Sequence, residues 1–388
     1  MLITKRSSIL RLITMLIFSM AICSVQAQDE VQPQLKKSFL QKLVHYLDSS
    51  NVMGTDPDYI GLPEKKWCVT LNSSHNQISL NLDSHLEASA DDQFDFNLRI
   101  TPPVTNSVGA SICYRGWGGG YGFSLTGNKG INMSFNIATP MNGVNIRWRR
   151  FNFDEPQIGA SNIISEGIKK KGMPLTTTEL NKSMKIESFV FDGYWIFNHK
   201  RFALAAPYGQ SVIQKRSAGS FIAGLMVYYQ KFDMSQRENA IISLFHNGLG
   251  KLKIYQGSLG AGYTYNWVPT PGLVINAVAM PVVSVVNYIK AETYTYKLDD
   301  EYEKMFEEEN EQFSAGDLFS HITLDKKNSD SDWGKIRLNL DVRASITYWI
   351  RNWFITGMGQ IHSFSSTYDE TTIRMSEWDI KAAIGFTF

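Results

Sequence analysis

From Trp67 to the C-terminus, apolar and polar residues alternate with a period of two, the signature of strands that bury one face and wet the other. The clearest run is Lys335 to Ile350. There Ile336, Leu338, Leu340, Val342, Ala344, Ile346, Tyr348 and Ile350 alternate with Lys335, Arg337, Asn339, Asp341, Arg343, Ser345 and Thr347. The pattern lasts about 16 residues, whereas globular strands average five or six and a tilted membrane-crossing strand takes about 9 to 11. Length thus favours the wall of a membrane barrel. A soluble barrel or sandwich is the alternative, with its oily face turned inward.

The same alternation marks thirteen candidate strands: 67–86, 93–101, 104–115, 117–126, 130–139, 143–153, 183–198, 217–230, 239–267, 272–297, 333–350, 352–368 and 372–388. Single-chain bacterial barrels use even strand numbers. The expectation is therefore an all-β, antiparallel outer-membrane barrel of about 12 strands, within a range of about 10 to 14. Connectors fall into two classes. Arg351–Asn352 is short, while 155–182 and 298–332 read as long loops, the layout of a barrel with short turns at one end and long loops at the other. Aromatics at strand ends (Tyr263, Tyr265, Trp267, Tyr348, Trp349, Trp353, Phe354) suit interfacial girdles. Phe388 closes the last strand and resembles the assembly signal read by the barrel-assembly machinery.

Before the strands, Lys5, Arg6 and Arg11 precede the apolar run Leu12–Ile22 and then Ser24–Ala27, the three-part pattern of a secretory signal peptide over residues 1–27. Residues 28–57 read as a periplasmic segment, partly helical where Leu35, Phe39, Leu43, Val44 and Leu47 recur at intervals of three and four. The strands then occupy 58–388. Export leads to the outer membrane, whose lipid and lipopolysaccharide become the expected surroundings.

Composition narrows the chemistry. Lys plus Arg total 38 against 37 for Asp plus Glu, a formal net charge of +1, so no global field recommends nucleic acid. Cys68 and Cys113 are too few for a disulfide scaffold, and the sequence leaves open whether they pair. Nine acids between Glu292 and Glu311, against Lys297 and Lys304, leave a local charge of −7. That segment is a solvated loop or, alternatively, a site for a divalent cation. Lys169, Lys170 and Lys171 make a basic segment that an ordinary hydrated loop or contact with lipopolysaccharide phosphates would explain.

Catalytic and cofactor motifs are missing: no HExxH, no phosphate loop, no CxxC and no GxSxG. Gly118, Gly120 and Gly122 suit a crowded strand better than a dinucleotide. The expectation is a protein with no metal site, cofactor or catalytic residues. A lipid-modifying enzyme would need Ser243 or Ser363 to meet His246 or His362 on the wall.

Several blocks resemble a known family. Asp58–Ile60, Pro63, Lys66–Trp67, Tyr114–Gly116, Gln214–Phe221 and Gly260–Pro269, in that order, are similar to an uncharacterised Bacteroides-type family of outer-membrane barrels known as Domain of Unknown Function 4421. The resemblance covers roughly residues 50–388. It implies an exported barrel and carries no active site to transfer.

On this reading the polar strand faces line a lumen, with Arg147, Arg149, Arg337, Asp341, Arg343, Glu377, Asp379 and Lys381 as its charged candidates. Buried charges must be paired, so these residues either set selectivity or brace the wall. The functional readings are a narrow channel or transporter, or a structural barrel. The alternative is a surface adhesin or envelope interaction protein acting through its long loops.

Overall fold

The computed structural model describes residues 45, 48–49, 53–87, 92–125, 129–153, 157–166, 169–179, 184–234, 249–298, 322–368 and 371–388. The chain divides into two compact units, Met1–Tyr46 and Leu47–Phe388. The expected signal peptide and nearly all of the expected helix, with the acidic residues 299–311, Ser243 and His246, lie outside the described residues.

Twelve strands close a ring among the described residues. In chain order they are β2 (Trp67–Glu87), β4 (Thr105–Tyr114), β5 (Trp117–Ser124), β6 (Lys129–Ala138), β7 (Asn142–Phe153), β10 (Met184–Ile196), β12 (Ala218–Asp233), β13 (Leu249–Thr270), β14 (Leu273–Leu298), β16 (Arg337–Ile350), β17 (Trp353–Tyr368) and β18 (Thr371–Thr387). Each pairs antiparallel with the next, and β18 returns to β2 from Thr371↔Ser84 to Thr387↔Cys68. Closure removes the exposed sheet edges. Phe388 sits at the seam: it exchanges backbone hydrogen bonds with Trp67 (3.2 and 3.0 Å) and turns its ring outward beside Phe386.

Alternation decides which way each side chain points. Along β16 the odd residues Asn339, Asp341, Arg343, Ser345 and Thr347 are buried, while Leu338, Leu340, Ile346, Tyr348 and Ile350 are exposed. An oily exterior around a polar interior is the opposite of a soluble sandwich. No helix among the described residues is long and apolar enough to cross a membrane, so crossing falls to the strands.

Several tight turns lie at the end of the barrel where Thr387 meets Cys68. Between β4 and β5, Arg115 and Gly116 take φ of 49° and 85°, the left-handed pair that matches hairpin twist. A Cβ on Gly116 would lie 2.3 Å from the Ala138 carbonyl oxygen, so that turn requires glycine. Pro271–Gly272 (φ of Gly272 84°) and Arg351–Asn352 join β13 to β14 and β16 to β17 at this end.

The first departure from expectation concerns the long connections. Segment 93–101 is a strand, β3 (Asp92–Thr101), but it stands off the ring, pairing with the far end of β2 and with residues 157–166. The expected loop 155–182 contains β8 (Gln157–Glu166) and β9 (Lys169–Glu179), a hairpin added to β3. Within 298–332 lies most of β15 (Ile322–Trp333), which pairs with the far half of β14. Backbone groups beyond the ring still need partners, and neighbouring overlong strands supply them.

The second departure is a plug. The connection from β10 to β12 folds inward through a short helix, α1 (Ala205–Tyr208), and β11 (Ile213–Gln214), which pairs with β1 (Ile60–Gly61). Ala203, Ala205, Ala206 and Val212 pack with Ile60 in a buried cluster. Gln214 secures the segment, accepting from the Ala203 amide at 3.0 Å and donating to the Arg201 carbonyl at 2.6 Å. Wall residues also hold it: Asn266 donates to the Ala203 carbonyl (3.0 Å) and Thr347 to that of Pro207 (3.3 Å).

Cys68 and Cys113 are register partners on β2 and β4 and form a disulfide, with Cα atoms 5.1 Å apart. It packs against Trp349 and Phe354. Those two aromatics therefore point into the lumen, not into a girdle, because each is one residue out of phase with its exposed neighbour, Tyr348 or Trp353. The bridge closes a sequence separation of 45 residues. Chain-entropy arguments put such a link at up to about 4 kcal/mol. Cys68→Ser/Cys113→Ser is expected to lower the denaturation midpoint while leaving a folded, heat-modifiable barrel on gels.

Candidate functional site

Five inward strand faces meet at mid-barrel. On β7 the sequence Asn-Ile-Arg-Trp-Arg-Arg-Phe turns Asn145, Arg147, Arg149 and Phe151 inward; β10 contributes Asp192 and Tyr194, and β16 contributes Asp341 and Arg343. From β17 comes His362 and from β18 Glu377, Asp379 and Lys381.

These charges join across the lumen. Arg149 on β7 donates to Glu377 and, at 2.7 Å, to Asp379, both on β18. Arg147 reaches Asp192 at 3.3 Å, and its Nη2 lies 3.5 Å from His362 Nε2. Arg343 donates to Asp341 through Nε and Nη2 (3.1 and 3.0 Å) and lies 3.4 Å from Asp192; its Nη2 also bonds Tyr194 Oη, with its guanidinium carbon 4.7 Å from the Tyr194 ring centre. His362 Nδ1 is 3.1 Å from Asp341, which places the ring between Asp341 and Arg147.

Four cations (Arg147, Arg149, Arg343, Lys381) thus face four acids (Asp192, Asp341, Glu377, Asp379), and the layer is neutral as a unit. Arginine suits this work because its planar fork donates to two carboxylates at once. Arg337 is not part of it: half-buried and nearer the loop end, it donates to Thr367 at 2.6 Å. Lys381 borders the chamber described next and makes no ion pair among the described residues.

Between the charged layer and the plug lies a chamber of about 170 Å³. Asn72, Ser74, Asn132, Ser134 and Asn136 form its hydrophilic side, with Tyr208 of the plug beneath. The sequence explains the space. The inward positions of β5 beside the chamber are Gly118, Gly120 and Gly122, so there that strand sends no side chain into the lumen. Close strand approach also demands small residues there, since a Cβ on Gly118 would meet the Cys113 Cβ at 2.8 Å.

On the loop side of the charges the interior turns apolar. Ile78, Leu80, Leu82, Phe151, Ile186, Ile373 and Met375 are all at most 4% exposed and form one cluster. Tyr228 on β12 and Phe364 on β17 meet across the lumen, ring centres 4.2 Å apart. The lumen is therefore closed twice, by a plug at the turn end and by packed side chains toward the loop end.

Outside the wall at the turn end, Asp48 accepts from Lys66 (2.9 Å) and Tyr114 (2.9 Å). Burial alone would raise its carboxyl, but these bonds and the neighbouring Arg115 hold it below its ordinary value. At the other end, Glu292 opens the acidic segment and is already engaged by Lys251 (3.2 Å), Lys253 (2.9 Å) and Lys327 (2.9 Å). Lysines thus occupy the one described carboxylate of the expected cation site. Among the described residues, no group of three or more His, Cys, Asp or Glu is arranged to hold a metal.

His362 and Ser363 do not meet as a pair. Consecutive strand residues face opposite ways, so His362 is buried in the lumen while Ser363 lies on the outer face. Sequence reasoning missed Asp192 and Tyr194, and it named His362 only as a partner for a serine, not as a member of the charged layer. Asp192 carried a usable signal, since an acid inside the apolar run Phe189-Val-Phe-Asp-Gly-Tyr-Trp persists only with a partner.

An oily exterior, short turns at one end, overlong strands at the other and a paired charged interior define a closed barrel of the outer-membrane type. Residues 54–388 match the family described as Domain of unknown function (DUF4421), and the chain belongs to that family. No curated protein matches. Among solved structures, the outer membrane protease OmpT of Escherichia coli is similar at 8% identity and a TM-score of 0.41, over 84% of this chain and 97% of that one. The translocator domain of autotransporter NalP from Neisseria meningitidis gives 9%, 0.30, 90% and 94% in the same order. OprG from Pseudomonas aeruginosa gives 10%, 0.27, 84% and 98%. The barrel itself rests on this chain's own strand pairing.

Proposed function

We propose that this protein resides in the bacterial outer membrane as an occluded barrel: a structural mount that presents its loop-end sheets to the exterior, with no standing pore. The supporting observation is the double closure of the lumen, plug on one side of the charged layer and apolar packing on the other. An ion crossing a packed apolar layer loses its hydration without compensation. The working surface then lies where strands outrun the ring, on β3–β8–β9 and on the β14–β15 hairpin.

Planar-bilayer recording tests this reading. The purified protein is expected to be silent at moderate voltage. Steady single-channel steps would support the narrow-channel reading, in which Arg147, Arg149, Asp341, Arg343, Glu377, Asp379 and Lys381 act as selectivity groups. Removing β8 and β9 (residues 157–179) is expected to leave the heat-modifiable barrel intact while abolishing binding of any surface partner.

A further inference from the structure

Near the loop end of the wall, strand register lines up two rows of unlike chemistry. The first row is aromatic: Trp148, Phe189, Tyr229, Tyr255, Tyr288 and Trp333 are successive register partners across β7, β10, β12, β13, β14 and β15. All point outward, and the last four form a continuous ladder with ring centres 4.9, 5.9 and 5.2 Å apart. Two residues farther along each strand, the second row reads Arg150, Glu187, Lys231, Lys253, Lys290 and Ser331.

Three lysines side by side on adjacent strands repel one another, an arrangement that costs stability unless something else neutralises it. The protein neutralises it only partly. Beyond this row, Lys185, Lys251 and Lys327 add three cations, against Asp233 and Glu292. Lys231 pairs with Asp233 (3.2 Å) and Lys253 with Glu292 (2.9 Å), but Lys290 makes no ion pair among the described residues. Counting Arg150, Lys185, Lys231, Lys251, Lys253, Lys290 and Lys327 against Glu187, Asp233 and Glu292, the patch carries 7 − 3 = +4 among the described residues, on a chain whose formal net charge is only +1.

Its height matters as much as its charge. On β13 the aromatic row at Tyr255 lies ten residues from Tyr265, which is exposed near the turn end. Ten residues rise roughly 33 Å along a strand and, at a tilt of about 40°, roughly 25 Å along the axis, the height of a barrel's apolar band. The cations therefore stand just past the hydrocarbon, at headgroup level, above rings of the kind that settle at that boundary.

We infer that this face of β7–β15 is a binding site for the phosphate groups of an anionic lipid in the leaflet around the loop end. The inference rests on the reading of the wall as membrane-embedded. Lysine supplies point charges that meet phosphate oxygens, and the aromatic ladder below packs against the upper acyl chains.

Native mass spectrometry of the full-length protein in detergent tests it, with bis-phosphorylated lipid A, the same lipid stripped of its phosphates, and phosphatidylcholine as probes. The expected result is retention of the phosphorylated lipid in clear preference to the other two. Lys231→Gln/Lys253→Gln/Lys290→Gln is expected to weaken it on the order of a hundredfold, given about a decade or less per surface lysine. Arg374→Gln, on the outward face of β18, is expected to change nothing. Should the triple variant lose its gel shift, Lys290→Gln alone carries the comparison, with an expected loss of about fivefold.

Equal retention of phosphatidylcholine, or unchanged binding in the lysine variants, overturns the inference. Displacement by millimolar inorganic phosphate reassigns the site to free phosphate and overturns it too. If the wild-type protein shows no heat-modifiable band, the membrane reading itself fails, an outcome distinct from a folded barrel that binds no phosphorylated lipid.

Discussion

Replacing Arg149 by methionine is expected to cost the barrel about 3–5 kcal/mol, the penalty for stranding buried carboxylates without their partner. Arg149 is 4% exposed and satisfies Glu377 (1% exposed) and Asp379 (6% exposed) at once. Methionine fills much of the volume, so the loss reports charge and not a cavity. The sign is checked by compensation. Adding Glu377→Gln and Asp379→Asn removes the stranded charges and is expected to recover more than half of the loss, measured as urea midpoints of refolding into detergent micelles. A triple variant no better than Arg149→Met would mean that the arginine acts by packing alone.

The twelve wall strands were legible because period-two alternation is a local property: each strand announces its oily and polar faces within its own residues, as Lys335–Ile350 does. Local reasoning also found both sides of the Arg149–Glu377–Asp379 group, since all three lie on the polar faces of recognisable strands. It did not find which charges meet, because β7 and β18 are far apart in sequence and face each other only once the ring closes. In the closed ring Arg149 takes both β18 acids, while Arg343 on β16 is shared by Asp341 on its own strand and Asp192 on β10.

β3 failed for a related reason. Its alternating Phe94, Phe96, Leu98 and Ile100 look like a wall strand, and only the register of β2, shared between β4 and β3, puts it outside the ring. The plug was invisible because its alanines, proline and glycine carry no periodic signal; what holds it inside is hydrogen bonding from Gln214, Asn266 and Thr347. Trp349 and Phe354 show the cost of treating aromatics as girdle markers without counting faces.

The double closure leads to the other large effect, a conductance that needs two lesions. Replacing Phe202–Val212 with a Gly/Ser linker is expected to uncover the polar chamber from the turn end but leave the protein electrically silent. The reason is that Phe151, Phe364, Tyr228 and their neighbours still fill the lumen on the far side of the charges. Cutting into that layer with Phe151→Ser and Phe364→Ser, plug intact, is expected to be silent as well, because the turn end stays blocked by backbone that Asn266 and Thr347 hold in place. Combining both is expected to open steps in planar bilayers, and their ion preference should then change on Lys381→Glu, since Lys381 borders the chamber. Buried phenylalanines removed from a core cost about 3–5 kcal/mol each, so the combined variant has to be shown to be folded by its gel shift before recording. If plug replacement alone conducts, the apolar layer is no barrier, and the barrel is a plugged channel with its gate at the turn end.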